Sequence, residues 1–326
     1  MNQNWKNFLL SQQADLDQDN RIVFPSPAPA GLNRIYPVAH LAVLTVAGKD
    51  AAKLLQGQMT CNVNDINETQ SSLGAFCNPK GRAIATFLLV KTHDAFLLVL
   101  PAELLPTVKE RLQKYVLRSD VTITDSSDAL CVIGVKLADA PAGRLFASHQ
   151  DDVISVNLDA SGTLCLVIAP AELAIVFWTD RINRLGFQPD NSEQWRYLEL
   201  RAGIPWLCAA TSEEFIPQML NLDKLGGISF NKGCYTGQEI VARTHYLGQA
   251  KREMFLAEAE ASTAPEPMTA IIDDNSDSDA VVGKVLSSQQ QGAICTLLAV
   301  LATSGDAGDK LRLTGQNQGK ITLLQL

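Results

Sequence analysis

The stretch "AIATFLLVKTHDAFLLVLPAELLPTVKERLQKYVL", residues 83 to 117, contains two apolar runs followed by an amphipathic pattern. The runs at 83–91 and 95–101 have the length and composition of paired β-strands. In residues 102–117 apolar side chains recur at helical spacing, with one face formed by Leu105, Val108, Leu112 and either Tyr115 or Val116. This order predicts a strand–strand–helix block.

A related block follows further along the chain. Strands are predicted at "DVTITD" and "LCVIGVKL", then at "DVISVNL" and "TLCLVIA", and the helix "AELAIVFWTDRINRLG" is ended by Gly186. Repeated blocks of this kind predict an α+β fold for residues 1–250, with two related subdomains. Short strands after residue 250, such as "AVVGKVLSS" and "GAICTLLAVLA", predict a small all-β domain over residues 251–326.

The size and composition of the chain are those of a globular protein. Its 326 residues are 46% hydrophobic and 19% charged, which fits roughly two or three domains. The N-terminal residues lack the basic start and apolar core of a signal peptide, and the most apolar run is interrupted by Lys91, His93 and Asp94. We therefore expect a cytoplasmic protein without membrane segments.

The formal net charge of −8 is unevenly distributed. Residues 257–280 contain seven acidic residues and no Lys or Arg, and their Pro-, Ser- and Asp-rich composition predicts a solvated loop or linker. Residues 224–252 carry five Lys or Arg side chains against the single acid Glu239, a local balance of +4. Phosphate contacts need clustered cations, so one local patch on a near-neutral surface does not predict direct binding of nucleic acid.

The seven cysteines, at positions 61, 77, 131, 165, 208, 234 and 295, have no spacing typical of a metal or cluster site, and we expect reduced thiols. Cys131 and Cys165 lie in apolar strand-like runs, where cysteine packs as a small hydrophobic residue. Cys234 differs because it lies between Gly233 and Gly237 in "KGCYTGQE", residues 232–239. Glycines at these places permit positive φ angles and the close approach of another group.

The sequence around Cys234 allows two interpretations. If "GQEIVAR" begins a helix, its exposed N–H groups and the nearby Lys232 favour an anion, including the thiolate of Cys234. The cysteine would then be reactive. Alternatively, Cys234 is a structural residue beside a tight turn, and the residues alone favour neither interpretation.

The longer stretch "LGGISFNKGCYTGQEIVAR", residues 225–243, resembles the signature of the YgfZ family, folate-binding proteins similar in fold to the T-protein (aminomethyltransferase) of the glycine cleavage system. Further matches occur in order along the chain: "LLQGQMTCNV" (54–63), "FCNPKGRAIATF" (76–87), "NSEQWRYLELRAGIP" (191–205) and "FIPQMLNLDKLGG" (215–227). The resemblance implies a ring of three subdomains around a folate pocket, the third being a β-barrel. It also implies tetrahydrofolate or a folate derivative as the cofactor.

The resemblance further implies which residues bind folate. Trp195 matches a family tryptophan whose indole is suited to stacking on a pterin, although a buried anchor at a helix start is the alternative. Leu41 stands where the family has its other folate tryptophan. We expect Lys232 and Arg243 to form the basic surroundings of the folate's glutamate tail.

A family carboxylate is expected directly before "AGIP", where this chain has Arg201. Glu199 could replace it only in an extended segment, because residues two apart share a face in a strand and not in a helix. Arg201 could instead meet the glutamate carboxylates of folate, which match the geometry of a guanidinium group.

Aminomethyltransferases place an aspartate shortly after the glycine turn that matches "PKGR", residues 79–82. Residues 81–90 of this chain contain no acid, so ordinary aminomethyl transfer lacks its acid–base group. The resemblance implies instead an accessory role for iron–sulfur enzymes, including those that thiolate tRNA. Cys234 would be the functional thiol, and tRNA would be reached only through protein partners.

Two alternatives remain open. One is a tetrahydrofolate-dependent one-carbon transferase of the aminomethyl type, against which the missing acid counts. The other is a thiol hydrolase or transferase in which Cys234 pairs with His245, a pairing that their separation of eleven residues neither supports nor excludes.

Overall fold

The structure, a computed structural model, describes residues 1–17, 21–25, 31–248, 250–273, 280–303, 311–315 and 319–325. The chain divides into two compact units. The first comprises Met1–Leu55, Val63–Ser72 and Leu88–Leu198. The second comprises Gln56–Asn62, Leu73–Phe87 and Glu199–Leu326.

The described residues form helices α1 (Gln3–Ser11), α2 (Ala51–Gln56), α3 (Leu105–Val116), α4 (Ala171–Asn183), α5 (Ser192–Arg201) and α6 (Gln238–Tyr246). Their strands in the first half of the chain are β1 (Asp15–Leu16), β2 (Ile22–Val23), β3 (Arg34–Pro37), β4 (Leu41–Ala47), β5 (Ser72–Cys77), β6 (Ala83–Lys91), β7 (Ala95–Pro101), β8 (Thr122–Asp125), β9 (Leu130–Lys136), β10 (Ser148–Gln150) and β11 (Ile154–Asn157). The later strands are β12 (Leu164–Pro170), β13 (Gln188–Pro189), β14 (Arg252–Glu260), β15 (Ala270–Asp273), β16 (Val281–Gln291), β17 (Ile294–Ala302), β18 (Leu311–Leu313) and β19 (Lys320–Leu324). None of the helices in these residues has the length and apolar composition needed to cross a membrane.

The first unit contains a six-stranded sheet in the order β10, β11, β12, β9, β3, β13. Neighbouring strands are antiparallel except β13, which runs parallel to β3. α4 packs on this sheet and α1 packs on α4, around a core that includes Trp5, Ile133 and Trp178. The predicted helix of the second block is therefore confirmed, and it ends three residues before Gly186, whose φ is 69°.

The first predicted block is also confirmed. β7 pairs with β4 and with residues 88–91 of β6, and α3 follows it. The buried side chains of α3 are Leu105, Val108, Leu112 and Val116. Tyr115 is 41% exposed, so Val116 and not Tyr115 completes the apolar face.

The second unit contains a closed six-stranded barrel in the order β14, β17, β16, β15, β18, β19. Small and aliphatic side chains fill its interior, among them Ala257, Ile271, Val285 and Leu297. The predicted all-β region at the C-terminus is therefore confirmed as a barrel. The predicted boundary at residue 250 falls just before the first barrel strand, while the compact unit extends back to Glu199 and includes two earlier segments.

The acidic stretch 257–280 is not a single solvated loop, so that expectation is wrong. Residues 257–260 belong to β14 and 270–273 to β15. Within "AEAE" the two alanines, Ala257 and Ala259, are buried and Glu260 is exposed, which is the alternation of a strand with one face in a core. Residues 274–279 of this stretch lie outside the described residues.

Candidate functional site

The cysteine loop, residues 231–237, leads directly into α6 in the second unit. The helix begins after Gly237, whose φ of 84° lies in the left-handed region, so the condition that "GQEIVAR" begins a helix is met. Gly233 does not have a positive φ, and a Cβ atom added there would meet no atom within 4 Å. Of the two glycines around Cys234, only Gly237 is required by its backbone conformation.

The "PKGR" turn packs against the start of α6. A Cβ atom on Gly237 would lie 2.5 Å from the carbonyl oxygen of Asn78 and 2.9 Å from the Cα of Gly81. A Cβ atom on Gly81, whose φ is 71°, would lie 2.8 Å from the Cβ of Ile240. Glycine is needed on both sides because the two backbones touch. Two of the sequence matches, residues 76–87 and 225–243, therefore meet here.

Cys234 is the only exposed cysteine among the seven, all of which lie in the described residues. Cys61, Cys77, Cys131 and Cys295 are buried, whereas Cys165 and Cys208 are half-buried. Burial raises the pKa of Cys77 and of Cys131 to about 12, and it raises the pKa of Cys165 and of Cys295 to about 11. Thiols in such surroundings are inert near neutral pH. Accessibility therefore distinguishes Cys234 from the other cysteines.

The ammonium group of Lys232 is bound by main-chain oxygens. Its Nζ donates to the carbonyl oxygens of Met59, at 2.7 Å, and Cys61, at 2.8 Å, and lies 5.2 Å from the ring centre of Tyr235. Burial lowers the pKa of Lys232 to about 8, and the charge of Cys61 opposes this shift. These contacts do not support the expectation that Lys232 favours the thiolate of Cys234, because its partners belong to residues 59–61 and to Tyr235.

The short segment 58–61 supports the cysteine loop at further points. The Thr236 hydroxyl donates to Gln58 Oε1 at 3.1 Å, and the Ser229 N–H donates to the Thr60 carbonyl at 2.9 Å. The Thr60 hydroxyl in turn donates to the Gly227 carbonyl at 2.7 Å. No residue pattern predicts a role for Gln58, Thr60, Ser229 or Thr236. Their one signal is their place in the family matches at 54–63 and 225–243.

His245 and Arg243 are exposed in the last turn of α6. The His245 ring stacks on Phe230, with centroids 3.7 Å apart and an interplanar angle of 11°. Within the part of the chain that the structure describes, no hydrogen bond joins His245 to Cys234. The proposed Cys234–His245 pair is therefore not formed. Arg243 remains accessible to an anion.

Trp195 lies in the first unit, in α5, and is 0% exposed. Gly134 covers the indole so closely that a Cβ atom there would lie 2.2 Å from Trp195 Cε3, and the Tyr36 ring centroid is 5.5 Å away. Trp195 therefore lies where a buried anchor at a helix start would lie, which is the alternative to stacking of its indole on a pterin. Trp195 Nε1 is nevertheless buried without a hydrogen-bond acceptor among the described residues, which leaves a donor for a ligand.

Leu41 begins β4 in the first unit and is buried. Together with Trp5, Leu105 and Asp125 it lines a cavity of about 120 Å³. A cavity of this size has room for a single ring at most, so it does not hold a complete folate.

Glu199 and Arg201 lie at the end of α5, which is helical and not extended. The condition under which Glu199 could replace the family carboxylate is therefore not met, and its side chain is 1% exposed. Arg201 is exposed, and its guanidinium lies 3.6 Å from Glu258 Oε1 of the barrel strand β14.

A carboxylate that the sequence did not indicate lies beside the "PKGR" turn. Glu213 Oε2 accepts a 2.7 Å hydrogen bond from Asn78 Nδ2, across 135 residues of sequence. The Glu213 N–H donates to the Ala83 carbonyl, and its φ of 64° is unusual for a residue other than glycine. Residues 81–90 still contain no acid, but folding brings one to this turn from elsewhere.

Comparison with known proteins agrees with the architecture. The family model for the GCVT N-terminal domain matches residues 33–142. The glycine cleavage system aminomethyltransferase T from Bartonella henselae has a TM-score of 0.77 at 12% identity, covering 100% of this chain and 97% of that one. At such low identity this likeness shows the fold alone, and it confirms the predicted T-protein type of α+β fold.

A relative in sequence covers almost the same length. The tRNA-modifying protein YgfZ of Colwellia psychrerythraea (strain 34H / ATCC BAA-681) is 30% identical over 306 residues, which are 91% of this chain and 94% of the relative. Since the quoted motifs and this near-complete alignment agree, the chain belongs to the YgfZ family.

Proposed function

We propose that this protein is a folate-binding accessory factor in tRNA modification that supports iron–sulfur enzymes and acts through the thiol of Cys234. The similarity to the tRNA-modifying protein of Colwellia psychrerythraea supports the tRNA context. The iron–sulfur enzymes follow from the family resemblance, and the indirect route to tRNA follows from a near-neutral surface with one local basic patch. Of the five cations of the basic patch, Lys224 is paired with Glu253 and Lys232 with carbonyl oxygens, so two of the five are already engaged.

The accessibility of Cys234 is the observation that supports a functional thiol. The residue is exposed, whereas four of the other cysteines are buried and two are half-buried. Its loop is attached to residues 58–61 before and after the cysteine, through Lys232 and Thr236. An exposed side chain on an attached loop has no packing role, and it is available to a protein partner.

Tetrahydrofolate or a folate derivative is the proposed cofactor, and its reduced form carries one-carbon groups on a pterin nitrogen and on the neighbouring nitrogen of the p-aminobenzoate group. Trp195 fits it through the indole N–H, because this buried donor has no acceptor among the described residues while a pterin offers carbonyl and ring-nitrogen acceptors. Arg243 keeps its proposed role as a partner of carboxylates. Lys232 does not, because its ammonium is already bound by Met59 and Cys61.

A one-carbon transferase is the second candidate, and Glu213 is the observation that favours it. Its carboxylate lies beside the glycine turn that lacks an acid of its own. We expect no formation of methylenetetrahydrofolate from an aminomethyl carrier. Clear turnover that is lost in Glu213→Gln and retained in Glu214→Gln, its neighbour, would establish the transferase instead.

The proposed function is tested by tRNA methylthiolation in cells that lack this protein. The ratio of methylthiolated to unmodified nucleoside is measured by mass spectrometry after expression of each variant at equal protein level. Wild type and Cys208→Ser, a matched change at a half-buried cysteine, are expected to restore the ratio, and Cys234→Ser is not. Full restoration by Cys234→Ser would show that its thiol is not the functional group.

A further inference from the structure

The loop that presents Cys234 has few restraints of its own. Gly233 has open space around it, and Asn231, Gly233 and Cys234 are exposed. The restraint comes from residues on both sides of the cysteine, all directed to segment 58–61. Ser229 binds Thr60, Lys232 binds Met59 and Cys61, and Thr236 binds Gln58.

Lys232 is one of the three residues that bind segment 58–61, and it lies two positions before Cys234 in the sequence. It donates two hydrogen bonds to this segment, whereas Ser229 and Thr236 donate one each. Both bonds are charge-assisted and near the ideal length for N–H to oxygen. The titratable groups that face it are the thiol of Cys61 and the phenol of Tyr235, which also interacts with Cys77. No salt bridge to Lys232 occurs in the part of the chain that the structure describes. Its interactions are therefore directed to the scaffold and not to a nearby anion.

We propose that Lys232 is a positioning residue for Cys234. Its hydrogen bonds to the carbonyl oxygens of Met59 and Cys61 hold the cysteine loop in the conformation in which the Cys234 thiol is exposed to solvent. This inference rests on the proposed function for its biological meaning. It concerns the loop alone, so it can fail while the function of Cys234 stands, and the reverse also holds. A positioning role differs from electrostatic activation, in which the lysine charge itself would favour the thiolate.

Hydrogen exchange of the loop provides the first test, in Lys232→Met and in the control Lys224→Met. Methionine keeps an unbranched side chain that is only one atom shorter and removes its donors, and Lys224 is an exposed lysine of the same basic patch paired with Glu253. The amides of Ser229 and Gln238, which are hydrogen-bonded to Thr60 and Tyr235, are expected to exchange about tenfold faster or more in Lys232→Met, a typical effect of losing charged hydrogen bonds. They should not change in Lys224→Met. Unchanged exchange in Lys232→Met would overturn the proposal.

The pH profile of Cys234 alkylation separates positioning from activation. With iodoacetamide, positioning predicts a changed limiting rate in Lys232→Met but the same pH midpoint as wild type. Activation predicts a midpoint raised by about one pH unit, the scale of a nearby charge, with unchanged loop exchange. That second result would overturn the proposal.

The wild-type protein offers a measurement that does not depend on the variant being folded. An NMR titration of the Lys232 side chain is expected to show a midpoint near pH 8, because burial lowers the pKa of its ammonium, and slow exchange of the hydrogen-bonded ammonium protons with solvent. A midpoint near the ordinary lysine value of about 10.4, together with rapid exchange of the ammonium protons with solvent, would show a solvated ammonium and overturn the proposal. Loss of tRNA modification in Cys234→Ser is independent of these outcomes, so the two proposals are tested separately.

Discussion

At the scale of single residues, Trp195 shows what sequence can and cannot predict. The family match selected it, and the helix start offered as the alternative describes its position in α5. The sequence could not show that Gly134, 61 residues earlier in the numbering, covers the indole, because that contact depends on tertiary packing. Three tryptophans, Trp178, Trp195 and Trp206, have a buried N–H without an acceptor among the described residues, so the orphaned donor alone does not single out Trp195.

The proposed mode of folate binding predicts a specific effect of Trp195→Phe. The change keeps an aromatic ring and removes the N–H, so tetrahydrofolate affinity should fall by about fivefold, the value of one neutral hydrogen bond near 1 kcal/mol. Isothermal titration calorimetry measures this, with Trp178→Phe as the control because Trp178 is also buried with an unpaired N–H. Equal affinity in Trp195→Phe and wild type, or equal losses in both variants, would contradict the assignment.

The pKa of Lys232 predicts a pH dependence of stability. The folded protein releases this proton near pH 8, whereas the unfolded chain holds it to about 10.5, so the unfolded state binds more protons between these values. The free energy of unfolding of wild type relative to Lys232→Met should therefore be constant below pH 8 and rise between pH 8 and 10.5. Urea unfolding of both proteins at pH 7, 8, 9 and 10 measures the difference. A difference that does not change with pH would show that folding does not lower the pKa of Lys232.

At the scale of elements, strands and helices were predicted where the apolar period was unmistakable. α3 and α4 were found because the periodic side chains face a core. The prediction failed at 257–260, where the composition was acidic but the alternation of Ala and Glu was that of a barrel strand. In this segment the alternation of small and acidic residues indicates a strand, and the acidic residues lie only on the face that points away from the barrel core.

The contact between the "PKGR" turn and α6 predicts opposite results for the two glycines around Cys234. Gly237→Ala places a Cβ atom 2.5 Å from the Asn78 carbonyl oxygen at a φ of 84°, so we expect it to lower the free energy of unfolding by about 2 kcal/mol or more. Gly233→Ala meets no atom within 4 Å and should stay within about 0.5 kcal/mol of wild type. Urea denaturation measures both. Similar stabilities for the two variants would show that the turn and the helix do not touch as described.

At the scale of the whole molecule, the α+β body and an all-β C-terminal region are predictable because each repeats a short pattern along the chain, whereas the barrel follows from the family resemblance. The parts of the site are less predictable. Hydrogen bonds join residues that are more than 100 positions apart in the sequence. They link Lys232 to Met59 and Cys61, and Asn78 to Glu213. The local spacing of residues does not predict contacts over such distances. The family motifs include all of these residues except Glu213 but do not indicate which motifs contact each other.

The central claim, that Cys234 is an accessible functional thiol and not a packing residue, is tested most directly by competitive alkylation. Brief treatment of the folded protein with iodoacetamide near neutral pH, followed by peptide mass spectrometry, gives the labelled fraction of each cysteine. Cys234 is expected to react well ahead of Cys131 and Cys165, whose thiol pKa values burial raises to about 12 and about 11. Cys234→Ser should also leave the melting temperature almost unchanged. Slow labelling of Cys234, together with a melting temperature lowered by several degrees (a loss of about 1 kcal/mol or more), would make it a structural cysteine and contradict the account.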